Sequence, residues 1–291
     1  MSQKVFFKAT KPLRSKLCEG CRKEPSAGEH FKVCSGCKGS AYCSRVCQQR
    51  NWKTHKPLCE LTQRELLKIQ FKDRFGLWSE PHIDSTQEER VNLLHDFTEV
   101  YAWSIEKAIF SALHLGGGEE SFDYSKGCIV FDLRYRPDCN GNPSLAFELL
   151  DARIEPIARH LEGGSITDAF YAGQPMREAK ERELRAVHDD FLEVSMTLWT
   201  MEAYGNWHPH YQRRMSAGLK PIAQALEHRN WLPTLQKTMC CGYVFRQLED
   251  NDTNDWYVGR LKKSGNRWKW ERVNAQELVE MGLPANFSMI L

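Results

Sequence analysis

No apolar run in the chain approaches the roughly 18–20 residues that a bilayer-spanning helix needs, so no membrane partner is expected. The opening Met1-Ser2-Gln3-Lys4 carries no apolar h-region, and no secretory signal is read there. The expected setting is therefore intracellular, cytoplasmic or nuclear, where thiols stay reduced. Internal repeats, low-complexity tracts and a glycine-rich phosphate loop are all missing. Net charge is small too, at +2 over 291 residues. Cysteine is sparse except in one stretch: seven of the 11 fall between Cys18 and Cys59, and the other four (Cys128, Cys139, Cys240, Cys241) have no ligand spacing. In a reducing compartment such a concentration points to metal rather than to disulfides.

The small net charge hides an asymmetry. Residues 1–60 hold 13 Lys/Arg against 4 Glu, a balance of +9, while the remainder carries −7. Seven thiolates and two Zn²⁺ would lower the first figure to +6. The basic arm at 1–17, with Phe6 and Phe7 among its lysines, is read as a loosely ordered lead-in. A basic module can meet nucleic acid or an acidic partner.

The ligand string is Cys18-x₂-Cys21-x₁₂-Cys34-x₂-Cys37-x₅-Cys43-x₃-Cys47-x₇-His55-x₃-Cys59. Eight soft or borderline donors suffice for two tetrahedral zinc sites. Each x₂ pair can form a tight knuckle aiming two sulfurs at one ion. Each x₃ pair is i,i+4, which on a helix puts both ligands on one face. Spacing alone does not say which knuckle meets which helical pair. At 42 residues the stretch is too short for a stable core and needs metal as its staple. A RING-type finger is set aside because its central Cys-x-His pair is missing. His30, in the x₁₂ loop, is read as a solvated residue.

The string, with Tyr42 before Cys43 and Trp52-Lys53-Thr54-His55-Lys56 before Cys59, closely resembles the MYND finger. The resemblance implies interleaved sites, Cys18, Cys21, Cys43 and Cys47 on one zinc and Cys34, Cys37, His55 and Cys59 on the other. All donors are then consumed, so the metals are structural. The resemblance also implies a protein-interaction module that takes short apolar or proline-containing peptides, with Gln48 and Trp52 lining the groove. Trp52 has a second reading, as a core tryptophan steadying His55. Arg45 stands where some peptide-binding members have a small polar residue. The region after the finger loosely resembles the downstream parts of fungal, basidiomycete-like MYND proteins.

Composition of the rest is ordinary for a globular protein, at 41% hydrophobic and 27% charged overall. Residues 60–86 read as helix plus linker. Thr62 with Glu65 suggests a capping box, Leu67, Phe71 and Phe75 repeat at helical spacing, Gly76 offers a stop, and a linker runs from Trp78 to Ser85. Residues 87–291 read as one α+β domain. Thr86 with Glu89 is a second capping box, opening a long helix to about Leu115 with a stripe at Leu94, Phe97, Tyr101, Ile105, Ala108 and Ala112, ended by Gly116-Gly117-Gly118. Cys128–Leu133 and Leu145–Leu150 suggest a hairpin around a turn-rich loop at 137–143. Residues 175–204 read as helix, with Phe191, Val194 and Leu198 on its buried side and Glu178/Arg182 and Glu181/Arg185 as ion pairs. Tyr243–Leu248, Trp256–Lys262 and Arg267–Val273 read as a meander, closed by a short helix near Ala275–Met281. The expected fold class is thus α+β, a small cross-braced two-zinc finger followed by a larger helix and antiparallel-sheet domain.

No known catalytic signature is complete in the sequence. Only 17 residues precede Cys18, and no Asn-His-Ser-Cys-type motif follows it, as a split-SET methyltransferase needs. His82-Ile83-Asp84 fits the iron-dioxygenase triplet but sits in a linker and lacks a distal His with a nearby Arg. No ubiquitin-hydrolase Cys box is seen. Asp250-x-Asp252-x-Asn254 starts like a calcium loop but has Asp255 at position 6 and Leu261 at position 12. His208 and His210 in Trp207-His208-Pro209-His210 are read as a surface loop. No catalytic residue is named. The leading reading is a zinc-dependent protein-interaction adaptor. Its rivals are an enzyme with an unrecognised active site in residues 87–291 and a nucleic-acid-associated regulator.

Overall fold

The computed structural model describes residues 18–21, 23, 31–37, 39–77, 85–115, 122–201, 204–213, 230–247, 255–265, 267–280 and 289–290. The basic arm, His30, His82-Ile83-Asp84 with the linker from Trp78 to residue 84, Gly116–Gly118 and the Asp250–Asn254 turn lie outside them.

The cysteine-rich stretch supplies a two-stranded ribbon, β1 (Lys32–Val33) antiparallel to β2 (Ala41–Tyr42), and the start of α1 (Arg45–Phe75). Ser44 caps α1, its hydroxyl accepting from the Cys47 N–H. The helix then runs 31 residues without a break. This corrects the expected start at Thr62. The Thr62 hydroxyl turns back to the Leu58 carbonyl at 2.8 Å, as a mid-helix threonine does, instead of capping. Pro57 sits inside the helix, whose remaining turns keep it continuous. The stop at Gly76 is as expected: its φ of 61° is left-handed, and the Leu77 N–H reaches the Lys72 carbonyl at 3.0 Å.

Helix α2 (Gln87–Val100) opens on the Thr86/Glu89 capping box, and α3 (Ala102–Leu115) follows. The single long helix expected here is two, bent at Tyr101, where ψ is 10°. Backbone bonds continue across the bend, from Tyr101 to Phe97 and from Ile105 to Tyr101. The bend coincides with the buried Tyr101 hydroxyl donating to the Ser144 carbonyl at 2.8 Å. The whole predicted stripe is buried.

The main sheet joins β3 (Gly127–Tyr135), β4 (Phe147–Pro156), β5 (Phe191–Met201) and β6 (Tyr204–Arg213) in the order β4-β3-β5-β6. The β3–β4 hairpin is the one expected, with Asn140 and Gly141 in the left-handed region of its loop. Between β4 and β5 runs α4 (Ser165–Val187), which returns the chain so that β5 pairs parallel to β3. The sheet is therefore mixed.

The expected helix over 175–204 is corrected here. Its first part lies in α4, and it ends at Val187. Phe191, Val194 and Leu198 satisfy helical spacing, yet this segment is rich in β-branched and aromatic residues (Val194, Thr197, Trp199, Thr200) and has gone to strand. Alternation decides the faces. Met196 and Leu198 pack with Cys128 and Val130 toward α4, while Trp199 stacks on Phe131 at 4.2 Å toward α2 and α3. The Glu181/Arg185 pair forms at 2.8 Å. His208 and His210, read as a surface loop, instead lie on β6, an edge strand that tolerates Pro209.

Helix α5 (Trp231–Cys240) packs under the sheet through Leu235 and Met239. The expected meander is β7 (Tyr243–Gln247), β8 (Asp255–Ser264) and β9 (Arg267–Arg272), with β10 (Met289–Ile290) also paired to β8. The short closing helix is α6 (Ala275–Glu280).

Helix α1 carries the cysteine-rich stretch into this body. Its buried Leu61 and Ile69 face inward, and it packs against α4 and α2. Its Asp73 carboxylate accepts from the N–H groups of Gln87 (2.9 Å) and Glu88 (3.1 Å), the first two of α2. Thr86 takes the third. The free donors at the start of α2 are thus satisfied partly by the preceding helix.

Candidate metal centre

Two knuckles face α1. Each has a glycine before its second cysteine, Gly20 and Gly36. A Cβ on Gly20 would lie 2.7 Å from the Cys47 carbonyl oxygen, and one on Gly36 would lie 2.7 Å from the Gln63 amide and 3.1 Å from Cys59 Sγ. At Gly20 the obstacle is backbone, so the close approach of knuckle to helix depends on that glycine, while at Gly36 it is chiefly the movable end of Gln63. The sequence reading passed over both glycines.

The eight donors gather in two groups. Cys18, Cys21, Cys43 and Cys47 form the first, and Cys34, Cys37, His55 and Cys59 the second, with the ligand atoms of each within 4.8 Å of one another. Cys43 stands just before the Ser44 cap and Cys47 in the first turn, so this i,i+4 pair spans the helix start, while His55 and Cys59 lie in mid-helix. All seven cysteines are unbridged thiols. Sulfur separations are 3.6 Å for Cys21–Cys43, 3.5 Å for Cys43–Cys47 and 3.7 Å for Cys34–Cys59. A tetrahedral ion with bonds of about 2.3 Å sets its sulfurs about 3.8 Å apart. Cys37 Sγ is 3.7 Å from His55 Nε2, against about 3.6 Å for a sulfur and an imidazole nitrogen on one zinc. The donor set and its spacing fit two zinc ions.

The electrostatics point the same way. Burial tends to raise the Cys18 thiol, but N–H groups of Cys43, Cys21 and Gly20 outweigh it and bring the thiol down to about 6. Cys43 is pushed up to about 12, first by Cys47 and then by Cys18 and Cys21. Cys59 also rises to about 12, through burial and then the charge of Cys37. Sulfurs this close cannot all ionise unless a cation sits among them. With zinc the first cluster carries −2 and the second −1. The first lies at the N-terminus of α1, whose opening turn has no acidic side chain. Thiolates there take the place that Asp or Glu usually fills at the positive end of the helix dipole.

Outer partners fix the ligands. Burial keeps His55 neutral by lowering its pKa. Its Nε2 faces the ligand group, and its Nδ1 is 3.2 Å from the buried Ser40 hydroxyl, which can accept the Nδ1 proton when Nε2 binds metal. The Gly39 N–H donates to Cys37 Sγ at 3.4 Å, and Gln63 Nε2 to Cys59 Sγ at 3.3 Å. The Tyr42 ring meets His55 edge-on at 5.9 Å, and its hydroxyl accepts from Asn51.

A family model described as the MYND finger matches residues 18–59. Those residues are a MYND finger. The expected cross-bracing holds: each zinc site takes one knuckle and one i,i+4 pair, Cys43/Cys47 across the start of α1 or His55/Cys59 within it, so neither closes only a local loop. Mouse Tudor domain-containing protein 1 is 39% identical over 66 residues, 23% of this chain and 5% of that protein. The human protein of the same name is 35% identical over 68 residues, again 23% of this chain and 5% of its own length. The chain thus spans about a twentieth of these relatives, and the likeness concerns the MYND region. No solved structure matches the chain.

Gln48 and Trp52 stand one turn apart on α1, four residues from each other. Gln48 is half-buried, and Trp52 is 40% exposed with its ring 5.8 Å from that of His55. Among the described residues no helix is long and apolar enough to cross a membrane.

Proposed function

We propose that this MYND finger, a protein-interaction module by family, recruits a short apolar or proline-containing segment of a partner protein across Gln48 and Trp52. The observation that carries the reading is Trp52. A large aromatic with 40% of its surface exposed rests against a histidine of the second ligand group, so the metal site below it makes it rigid. Rigid aromatic surface lowers the entropic cost of gripping an extended peptide, and polyproline segments carry little entropy to lose. One turn earlier, the Gln48 amide offers a donor and an acceptor for the peptide backbone. The eight metal donors are saturated by protein ligands, so the zinc ions shape a surface and do no chemistry. The body at 87–291 serves as scaffold or as a second contact.

The test is a comparative pull-down from cell extract with wild type and Trp52→Ala, after confirming two zinc ions in each. Partners lost with Trp52→Ala, and restored by Trp52→Phe, support recruitment through this residue. An unchanged partner list would mean that the finger's role here is architectural.

A further inference from the structure

The second half of α1 has a face that neither the zinc sites nor the core uses. Leu67, Phe71 and Phe75 recur every fourth residue and are 65%, 57% and 58% exposed. They point away from the buried Ile69, and Leu61 and Ile69 already dock the helix without them. The two phenyl rings rest on each other at 4.6 Å. At 1.5 Å per residue the ridge is about 12 Å long. Contiguous apolar exposure of this kind marks an interaction surface more often than a single stray leucine does.

Charge around the ridge says what would cover it. From residue 53 onward α1 exposes Lys53, Lys56, Arg64, Lys68, Lys72 and Arg74, against Glu60, Glu65 and Asp73, whose carboxylate is taken by the start of α2. Lys56 meets Glu60 at 3.6 Å and Lys68 meets Glu65 at 2.7 Å. The field along the ridge remains positive. A row at i, i+4, i+8 is the ridge that seats in the groove of another helix.

We infer that the Leu67/Phe71/Phe75 face docks an acidic amphipathic helix of a partner protein, with apolar side chains at i,i+4 spacing flanked by Asp and Glu. The occupant is protein in preference to single-stranded nucleic acid. A run of stacked bases needs successive parallel ring faces, whereas Phe71 and Phe75 are tilted 47° to each other and Leu67 has no ring. This site is distinct from Trp52. The two centres lie about 19 residues, or roughly 28 Å, apart along the helix.

The experiment uses the full zinc-loaded chain and a displayed library of 18-residue helix-forming peptides with randomised apolar and charged positions. Enriched peptides should be acidic and carry at least one i,i+4 apolar pair. Their binding should fall at least tenfold in Phe71→Ser and in the double reversal Arg64→Glu/Arg74→Glu, and persist in Trp52→Ala. Zinc content and thermal unfolding of each variant establish that it is folded, and Phe71→Leu should retain binding. Neutral or basic winners, no winners, or binding indifferent to Phe71→Ser would overturn the inference. So would a wild-type dimer by sedimentation that Phe71→Ser dissolves, since the occupant would then be a second copy. Oligo-dT, or vesicles of phosphatidylcholine with one-fifth phosphatidylserine, retained through Phe71 in place of any peptide would overturn it equally. Loss of binding in Trp52→Ala with Phe71→Ser unaffected would overturn it too, because the peptides would then sit in the finger's groove.

Discussion

Ser40 donates nothing to zinc, yet its hydroxyl meets the His55 nitrogen that faces away from the ligand group and so helps to hold the ring. Removing it in Ser40→Ala frees the ring to rotate and to change tautomer. Zinc affinity of the second site should fall on the order of tenfold, the low end of what outer-shell losses cost. Competition against a chromogenic chelator under reducing conditions reads this directly, and an unchanged affinity would show that packing against Tyr42 alone orients the imidazole. The knuckle glycines make a sharper contrast. At Gly20 a methyl meets the Cys47 backbone at 2.7 Å, whereas at Gly39 its nearest neighbour, Cys37 Sγ, is 3.8 Å away. Gly20→Ala should therefore lower the zinc count measured by native mass spectrometry from two toward one, and Gly39→Ala should leave two. Equal behaviour of the two variants would mean that the knuckle shifts aside at little cost.

At the scale of elements, α1 is the piece that the sequence misdescribes in an instructive way. The ligand spacing made two helical pairs legible, and Gly76 made the stop legible. Thr62-x-x-Glu65 imitated a beginning because a capping box is defined by residue types alone, while the backbone before it was already helical. The same weakness explains 175–204. Phe191, Val194 and Leu198 match a helical period over a span too short to exclude alternation, and the pairing of β5 with β3, some 70 residues away, settled the matter. Such long-range pairings also hid the parallel strand pair and the half-buried setting of His208 and His210 on β6. In the finger nearly everything was legible, because metal donors announce themselves by type and spacing. What was not legible there, Ser40 and the two glycines, acts through contact geometry. One contact between elements can be tested alone. Asp73 supplies acceptors for two N–H groups of α2, and Asp73→Ala should cost about 1–2 kcal/mol in urea unfolding, the usual range for a lost helix cap. A change below a few tenths would mean that water replaces the carboxylate.

At the scale of the molecule, acid and metal act on different parts. Burial, with smaller contributions from His95 and His210, lowers His208 to about 3, and burial lowers His210 to about 4. In the unfolded chain both return to about 6.5. Below that pH the unfolded state binds more protons than the folded one, so stability must fall as pH drops from about 6.5 toward 4. His210→Gln removes one such proton and should flatten the slope by at most about 1.4 kcal/mol per pH unit. Comparing variants at equal zinc content cancels the acid sensitivity of the thiolates, and parallel slopes would refute the assignment.

Zinc removal should act at the other end. The knuckles and ribbon have few apolar groups beyond the ligands themselves, with Tyr42 and Phe31 the additions to that cluster. Without a metal contribution on the order of 10 kcal/mol this part cannot stay folded. The second half of α1 is different, since Leu61 and Ile69 remain packed and Asp73 still caps α2. A strong chelator with reductant should therefore expose backbone amides of about residues 45–58 to hydrogen exchange while residues 61–75, β3 and β5 stay protected. Chelation would then shorten α1 from its metal-bound end and leave the body standing. If β3 and β5 lose protection together with residues 45–58, the finger and the body fold as one unit, and the zinc ions hold up the entire chain.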